Sequence, residues 1–439
     1  MLQGILIMVV FFALAGLMIA RKIPTLVAMI LLAIITCIIA GVPIIGQNEE
    51  GAQIGWLHTI VETGAARMST ALIAVIFGSW MGHMMNRTGV TETIIKKSAE
   101  FGGDRPLVVA LVMIAANALL STTGAGLGSV IMVGSIILPI LISVGIPGPT
   151  AAGLYLISLN VGMTFNVANW QTFSSIFSLE IPVIQQFMTY MMVASLAAAI
   201  VFVTVQYLKN GRKFAFSAPA KSDKPAPVET DTRPLKGVVG VLAVLAPLIP
   251  IVLVVVFKIP VIPSFLTGII WLVVVTAKSF AKAMNLLIQT AYEGIAAIAS
   301  AITLLIALGI LYVAVTNPMV KQILDPFILA IIPTSRLVYI IFFILVAPLC
   351  LYRGPMNLFG FGTGIAALII SLGTLNPMAV MGAFLSAERV QGVGDPTNTH
   401  NVWVANFVET DVTKMSQTLW PYLWGIAAVG VILSAIIYF

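Results

Sequence analysis

Two stretches of the chain, CLYRGPMN at 350–357 and ERVQGVGDPTNTHN at 388–401, place ionisable side chains within long apolar runs. They carry Arg353, Glu388 and Asp395. A charged group at membrane depth is costly and normally faces a polar cavity or pathway. The two stretches therefore predict a membrane fold and mark the position of a binding site.

The composition of the whole chain supports a membrane protein. Of the 439 residues, 60% are hydrophobic and 9% are charged, whereas soluble domains carry about 25% charged residues. Several runs reach the roughly 20 apolar residues that cross a bilayer as a helix. We therefore predict an all-α polytopic membrane protein, in which the net charge of +6 reports loop orientation and not a nucleic-acid partner.

The distribution of basic residues predicts how the chain is oriented. Arg21 and Lys22 follow the first apolar run, and basic residues recur at 87–105, whereas the loop near 43–56 is acidic. The positive-inside rule then places the amino terminus outside, the polar segment 208–236 in the cytoplasm and the carboxyl terminus outside. We expect a multi-pass protein of the cell (inner) membrane, with the lipid bilayer as its surroundings.

Interrupted apolar runs predict helices that do not cross the membrane in one piece. In the run 106–142, the small residues from Ser121 to Ser129 leave two arms of roughly 14 residues, which are too short to span the bilayer. We predict a re-entrant helical hairpin there and a broken transmembrane helix over 149–176. The second half has the same pattern, with a hairpin at 337–375 and a broken helix at 378–407, after a span over 284–315.

Matching residues at a near-constant separation indicate an internal duplication. Gly64 and Gly294 are 230 positions apart, as are the glycines Gly124 and Gly354 at the two hairpin tips. Because the linker 208–236 begins and ends in the cytoplasm, residues 1–207 and 237–439 form two inverted-topology repeats. Inverted repeats with interrupted helices at corresponding positions are typical of secondary transporters with a site near the midplane.

The hairpin tips supply the candidate substrate-binding residues. Hydroxyl groups can donate hydrogen bonds, glycines let the backbone approach a ligand, and the Arg353 guanidinium matches a carboxylate. Alternatively, the small residues serve helix packing, and Arg353 extends to the interface or pairs with Glu388 or Asp395. The candidates are Ser121, Thr122, Thr123, Gly124, Gly126, Arg353, Gly354 and Asn357.

The breaks supply candidates for binding a coupling ion or completing the pocket. Pro396 removes a backbone donor and frees carbonyls, and Asp395 can carry a proton or bind Na+ with Asn398 and Thr399. Asp395 could instead cap a loop, and Glu388 with Arg389 could form an internal ion pair. The candidates are Asn160, Asn166, Asn169, Asp395, Thr397, Asn398, Thr399 and His400.

The sequence contains no metal-ligand cluster, phosphate-binding glycine loop or catalytic constellation. We therefore predict a protein that is not an enzyme and that has no cofactor beyond a coupling ion, H+ or Na+.

The chain resembles the ion transporter superfamily, and most closely its citrate-metal:proton symporters, gluconate permeases and anaerobic dicarboxylate carriers. The resemblance lies in the segments 101–106, 121–129, 160–170 and 395–403 and in the order of hairpins and breaks. The Ser-Asn-Thr tips of the divalent-anion relatives are absent. The resemblance implies an elevator-like mechanism and a homodimer.

Together, these features predict a secondary active transporter that couples H+ or Na+ to the movement of a small organic anion, such as a sugar acid, citrate or a dicarboxylate. The alternative is a cation:proton antiporter in which Asp395 and Glu388 carry the chemistry and Arg353 is structural.

Overall fold

A computed structural model describes residues 1–20, 22–47, 53–103, 105–124, 126–210 and 234–439. The segment that we predict to be a cytoplasmic linker, 208–236, lies largely outside the described residues. Within them, the chain is helical, and the β-structure is confined to an isolated bridge between Gln47 and Gln53.

The helices of the first half include one hairpin and one bent pair. They are α1 (Leu2–Ile19), α2 (Thr25–Ala40), a π-helical segment (Leu57–Glu62), α3 (Thr63–Arg67), α4 (Ser69–Arg87), α5 (Val90–Gly102), α6 (Pro106–Ser121), α7 (Gly126–Ser143), α8 (Gly148–Met163), α9 (Val167–Phe177) and α10 (Ile181–Asn210).

The helices of the second half follow in the same order. They are α11 (Gly237–Val244), α12 (Leu248–Val255), α13 (Val261–Thr276), α14 (Phe280–Ala297), α15 (Ala299–Thr316), α16 (Pro318–Leu329), α17 (Arg336–Val346), a 3₁₀ helix (Ala347–Arg353), α18 (Gly362–Leu372), α19 (Pro377–Gly394), α20 (Thr399–Phe407) and α21 (Val412–Tyr438).

The predicted fold class is confirmed. Among the described residues, seven helices are long and apolar enough to cross a membrane, or up to nine if each of two bent pairs counts as one span. Helices α6 and α7 are the two arms of the first predicted hairpin, but at 16 and 18 residues they are longer than the roughly 14 residues expected, and α7 alone is long enough to cross a membrane. Helices α8 and α9 are bent by 61° at the first predicted break. In the second half, α17 and α18 flank the second tip, and α19 and α20 flank the second break.

Two apolar runs of the second half, 237–257 and 284–315, were each expected to form one continuous span, and both are interrupted. The span at the start of the second half bends by 44° between α11 and α12, next to Pro247, which cannot donate a backbone hydrogen bond. The span over 284–315 breaks at Ile298, between α14 and α15. Its equivalent is the break at Met68 between α3 and α4, 230 positions earlier.

The two halves cross closely at glycines in these interrupted spans. A Cβ atom on Gly294 would lie 2.9 Å from the backbone N of Trp80, and one on Gly64 would lie 2.6 Å from Cα of Ile310. Trp80 and Ile310 are themselves 230 positions apart, so the two contacts are equivalent under exchange of the halves. Ser79 Oγ donates a hydrogen bond of 2.9 Å to the carbonyl of Gly294. Helix α4 is thereby fixed against α14, next to the break at Ile298.

We expect Gly294→Ala to destabilise the protein by about 1–3 kcal/mol, because the added methyl group overpacks this crossing. Thermal unfolding of the purified protein in detergent would measure the loss. The matched control is Gly16→Ala in α1, where a Cβ atom would meet nothing within 4 Å. Equal melting temperatures for the two variants would contradict a close crossing at Gly294.

Candidate functional site

The tips and breaks surround a cavity of about 480 Å³. We call it the polar cavity because it brings together amide, hydroxyl and charged side chains, although apolar side chains form much of its wall. Its wall includes residues from both hairpins, from both broken helices and from the break at Ile298. The amino ends of three half-helices, α7, α9 and α20, lie at this wall. Backbone N–H groups in the first turn of a helix lack partners within that helix and carry partial positive charge. The cavity is therefore favourable for an anionic or strongly hydrogen-bonding ligand.

The structure brings together residues from both sets of candidates. Those on the cavity wall are Ser121, Gly124, Gly126, Asn166, Asn169, Arg353, Asn398, Thr399 and His400. The candidates that are not on the wall are Thr122, Thr123, Asn160, Gly354, Asn357, Asp395 and Thr397. A ligand-binding role remains a prediction for every one of these residues.

The first tip is held by an amide from the first break. Asn166, which precedes α9, donates from Nδ2 to the carbonyls of Ser121 and Gly124, each at 3.1 Å. Its Oδ1 accepts a hydrogen bond from the backbone N–H of Asn169 and so caps α9. One buried side chain therefore joins the hairpin to the broken helix.

The hydroxyls of Thr122 and Thr123 bond back to their own hairpin arm. Thr122 Oγ1 donates to Leu119 O at 2.7 Å, and Thr123 Oγ1 lies 3.4 Å from Leu120 O. A residue at a helix end often satisfies a local carbonyl in this way. The two threonine hydroxyls therefore stabilise the end of α6 and do not line the cavity.

The second tip places Arg353 on the cavity wall. Tyr352 and Arg353 both adopt the left-handed region, with φ of 55° and 61°, a conformation that is uncommon for residues other than glycine. Strained backbone of this kind persists where the surroundings enforce it, frequently at functional sites. Among the ion pairs of the described residues, none involves Arg353.

Asn357 shapes the turn that follows Arg353. Its Nδ2 donates to Cys350 O at 2.9 Å, and its Oδ1 accepts from the backbone N–H of Phe359 at 2.8 Å. This side chain is fully buried. Asn357 therefore holds the second tip in place and does not face the cavity.

The carbonyls freed by the second break are satisfied by side chains. Asn398 Nδ2 donates to Gln391 O and Gly392 O at 2.9 and 3.1 Å. His400 Nε2–H donates to the same Gly392 carbonyl at 2.8 Å. Asn401 Nδ2 reaches the carbonyls of Val393 and Asp395 at 3.0 and 2.8 Å.

Asp395 is buried behind the cavity wall. Its Oδ1 accepts from the N–H and the hydroxyl of Thr397 at 2.8 and 2.6 Å. Within the described residues, Asp395 Oδ2 and Asn401 Oδ1 are buried without a hydrogen-bond partner. Such oxygens fit a hard cation or a proton, although the predicted ligands Asn398 and Thr399 face the cavity whereas Asp395 does not. In the part of the chain that the structure describes, His, Cys, Asp and Glu form no group of three that could hold a metal ion.

Several wall residues were not among the candidates. Asn117 in α6 lines the cavity and donates from Nδ2 to Tyr155 O at 2.9 Å and to Ser158 Oγ at 2.6 Å. Its signal in the sequence is a lone amide within an apolar hairpin arm. Ser300 and Thr303 have no comparable signal, because their exposure to the cavity depends on the break at Ile298. Two further wall residues were expected in other terms: Ser129 lies in the predicted first tip, and Glu388 was predicted for the antiporter alternative. The remaining polar wall residues that we did not predict are Thr25, Tyr155, Thr172 and Gln391.

The fold is similar to that of a solved transporter. The crystal structure of the Alcanivorax borkumensis YdaH transporter, described as having an unusual topology, aligns with a TM-score of 0.62 over 94% of this chain and 97% of that chain. The sequences are 13% identical, so the similarity establishes a shared fold. No protein-family model matches the chain, and no curated protein matches it.

We expect Asn166→Ala to loosen the first tip, because it removes two hydrogen bonds to tip carbonyls and the cap of α9. Leaving buried polar groups unsatisfied costs about 1–3 kcal/mol each. Hydrogen exchange followed by mass spectrometry should show faster exchange at 119–124. The matched control is Asn376→Ala, which removes an exposed cap that accepts from Met378 N at 3.0 Å. An unchanged exchange rate at the tip in Asn166→Ala would contradict the role assigned to Asn166.

Proposed function

We propose that the protein is a secondary active transporter that couples H+ or Na+ to the movement of a small organic anion, a carboxylate such as a sugar acid, citrate or a dicarboxylate. The observation that carries this proposal is the position of Arg353 on the wall of the polar cavity. Glu388 also lies on the wall, but it is paired with Arg389. Arg353 therefore places on the wall a positive charge that Glu388 does not balance, and its electrostatic partner Asp395 lies behind the wall.

The surroundings of Arg353 suit a carboxylate. Its planar guanidinium can donate two parallel hydrogen bonds to a carboxylate. Neutral amide and hydroxyl groups, among them Asn117, Asn169 and Ser129, provide further hydrogen bonds for other polar groups of the ligand. The half-helix amino ends add to the attraction for negative charge.

Coupling to a cation follows from the electrostatics of a site enclosed by hydrocarbon. Placing an uncompensated anion in a medium of low dielectric constant is costly, and a cation that binds with it reduces that cost. A ligand that binds one conformation more tightly than the other also shifts the population between them. A co-bound cation thereby favours movement of the loaded cavity over movement of the anion alone.

The similarity in fold to a transporter supports alternating access as the mechanism. Following the resemblance to the ion transporter superfamily, we propose an elevator-like movement within a homodimer in the cell (inner) membrane. In this proposal, residues 1–207 form the first repeat, residues 208–236 form the cytoplasmic linker and residues 237–439 form the second repeat. Both termini lie outside.

A cation:proton antiporter is the second candidate. The observation that favours it is the buried Asp395, whose Oδ2 atom lacks a hydrogen-bond partner within the described residues. An unpaired carboxylate oxygen inside a membrane protein is typical of a proton or cation site. In an antiporter, Arg353 would have no ligand to bind.

We expect one of a panel of carboxylates (gluconate, citrate, succinate and malate) to raise the melting temperature of the purified protein. A ligand that binds only the folded state stabilises it by mass action, by about 2.7 kcal/mol at 100 times its Kd. The panel would be measured with Na+, with K+ and at two pH values, which also identifies the coupling ion. Stabilisation by Na+ or Li+ alone, with none by any carboxylate, would contradict anion transport and favour the antiporter.

Replacing Arg353 should separate the two candidates further. We expect Arg353→Gln to weaken carboxylate binding by about 2–5 kcal/mol, which is roughly 30-fold or more in Kd. The matched control is Arg336→Gln, which removes an exposed arginine that donates to Phe439 O at 3.2 Å. Equal carboxylate affinity in the Arg353→Gln protein and the wild type would remove Arg353 from the binding site.

A further inference from the structure

A buried ion pair lies at the cavity wall where the two broken helices cross. Glu388 and Arg389 are neighbours on α19, with 1% and 0% of their surfaces exposed, and their side chains pair with each other. Arg389 Nη1 also donates to Asn160 O on α8 at 3.2 Å. Glu388 is the member of the pair that lines the cavity.

Two hydrogen-bond donors, one in this pair and one in the neighbouring Asn160, lack acceptors. Within the described residues, Arg389 Nε and Asn160 Nδ2 are both buried without a hydrogen-bond partner. Buried polar groups are normally satisfied, and an exception calls for an explanation such as strain, a functional role or a partner that binds there. Because both groups are donors, an acceptor such as a carboxylate oxygen would satisfy them.

The carboxylate of Glu388 and the amide of Asn160 approach the cavity wall at Gly392. A Cβ atom built on Gly392, which lines the cavity, would lie 3.7 Å from Glu388 Oε1 and 3.8 Å from Asn160 Oδ1. Both oxygens therefore lie close to Gly392, and Arg389, which is paired with Glu388, lies directly behind this part of the wall. Glycine leaves this point open because it has no side chain.

The charge at this crossing belongs to one repeat alone. Asn160 and Glu388 are 228 positions apart, which is the separation of equivalent residues in this part of the two repeats. Asn160 is therefore the neutral equivalent, in the first repeat, of the charged Glu388 in the second. A buried ion pair gives little net stability compared with apolar packing, so its presence in one repeat is better explained by function than by stability.

We propose that Glu388 carries the coupling proton and that Arg389 is the internal counter-ion that the substrate carboxylate takes over. This inference rests on the proposed anion transport. When Glu388 takes up a proton from water, its carboxylate becomes neutral and releases the guanidinium. The substrate carboxylate then pairs with Arg389, using Nε and the amide of Asn160.

This exchange conserves charge at the site. One proton enters with one substrate carboxylate, so the pair Glu388⁻ and Arg389⁺ becomes neutral Glu388 with Arg389⁺ and the bound anion. On the other side of the membrane, loss of the substrate lets Glu388 return its proton to water and pair with Arg389 again. Substrate and proton therefore move together in either direction.

Other titratable groups surround the pair. Arg353 and His400 share the cavity wall with Glu388, and Asp395 lies close enough to Arg353 to interact with it electrostatically. Of the helices packed against α19, α8 carries Tyr155, whereas α9 and α18 carry no titratable side chain. Cys350 and Tyr352 lie in the 3₁₀ helix; α10 carries Tyr190, Tyr207 and Lys209, and α21 carries Lys414, Tyr422 and Tyr438. Asp395 is therefore the carboxylate to test against Glu388.

The test measures proton uptake when an anion binds. Gluconate, citrate, succinate and malate are added to purified protein in weakly buffered, Na+-free solution, with a pH-sensitive dye and correction for each anion's own buffering. We expect about one proton to be taken up per bound anion molecule in the wild type, and Kd to rise by about tenfold per pH unit where Glu388 is ionised in the free protein. These wild-type measurements do not depend on whether a variant folds.

Variants then assign the proton. We expect Glu388→Gln to bind the anion without proton uptake and with a Kd that does not change with pH, and Arg389→Gln to lose more than tenfold in affinity. The double variant Glu388→Gln with Arg389→Gln removes both charges and should also bind weakly. The matched control is Glu293→Gln, which breaks the ion pair between Arg87 and Glu293 away from the cavity and should retain the wild-type proton uptake.

The outcomes that overturn the inference differ from those that overturn the proposed function. Proton uptake that persists in Glu388→Gln, or that is lost in Asp395→Asn alone, would move the coupling site away from Glu388. Anion binding by the wild type without proton uptake would contradict this inference and leave anion transport standing. If none of the four carboxylates binds the wild type, anion transport and the inference both fall.

Discussion

A helix that stops inside a membrane leaves backbone carbonyls and amides without partners, and hydrocarbon cannot supply any. In this protein, side-chain amides meet that requirement at the break between α8 and α9 and at the break between α19 and α20. Asn166 binds two carbonyls of the first tip, and Asn398 and Asn401 bind four carbonyl groups around the second break. The polar cavity can exist at membrane depth because the backbone around it is satisfied in this way.

In each half, an asparagine side chain at the break donates hydrogen bonds to backbone carbonyls, but Asn166 and Asn398 do so in different ways. They are 232 positions apart, and each precedes the second half of its broken helix. In the first half, the Asn166 amide donates to carbonyls of the hairpin. In the second half, the Asn398 amide donates to carbonyls at the end of α19, the first part of the same broken helix. The first tip is consequently tied to its break, while the second tip is shaped by Asn357 from within. The duplication thus provides a symmetric frame, and local side chains make its two sides unequal.

Charge is even less symmetric than hydrogen bonding. Arg353, Glu388, Arg389, Asp395 and His400 all belong to the second half, whereas the first half contributes neutral amides and hydroxyls to the same cavity. Electrostatic chemistry is therefore concentrated on one side of the cavity. Helix α4 of the first half packs closely against α14 at Gly294, and α14 ends at the break at Ile298. This contact holds the first half, which is neutral at the cavity, next to that break. Such an arrangement suits a site in which one half supplies charge and the other supplies shape and hydrogen bonds.

The sequence by itself determined the membrane fold, the hairpins and the broken helices. These features depend on local signals: the length of apolar runs, and small or polar residues that interrupt them, as at Ser121 and Pro396. The break at Ile298 was not predicted, because the small residues around it, such as Ala297, Ala299 and Ser300, also occur within continuous membrane helices, and its equivalent at Met68 was apparent only from the structure. Tertiary structure alone decided which polar residues face the cavity. Asp395 and Glu388 are both acidic residues of one apolar segment, yet Asp395 turns behind the wall towards Thr397 and Glu388 lies on it. The direction of a side chain depends on how its helix packs against helices distant in sequence, such as α8, and the pattern of residues along a single helix does not contain that information.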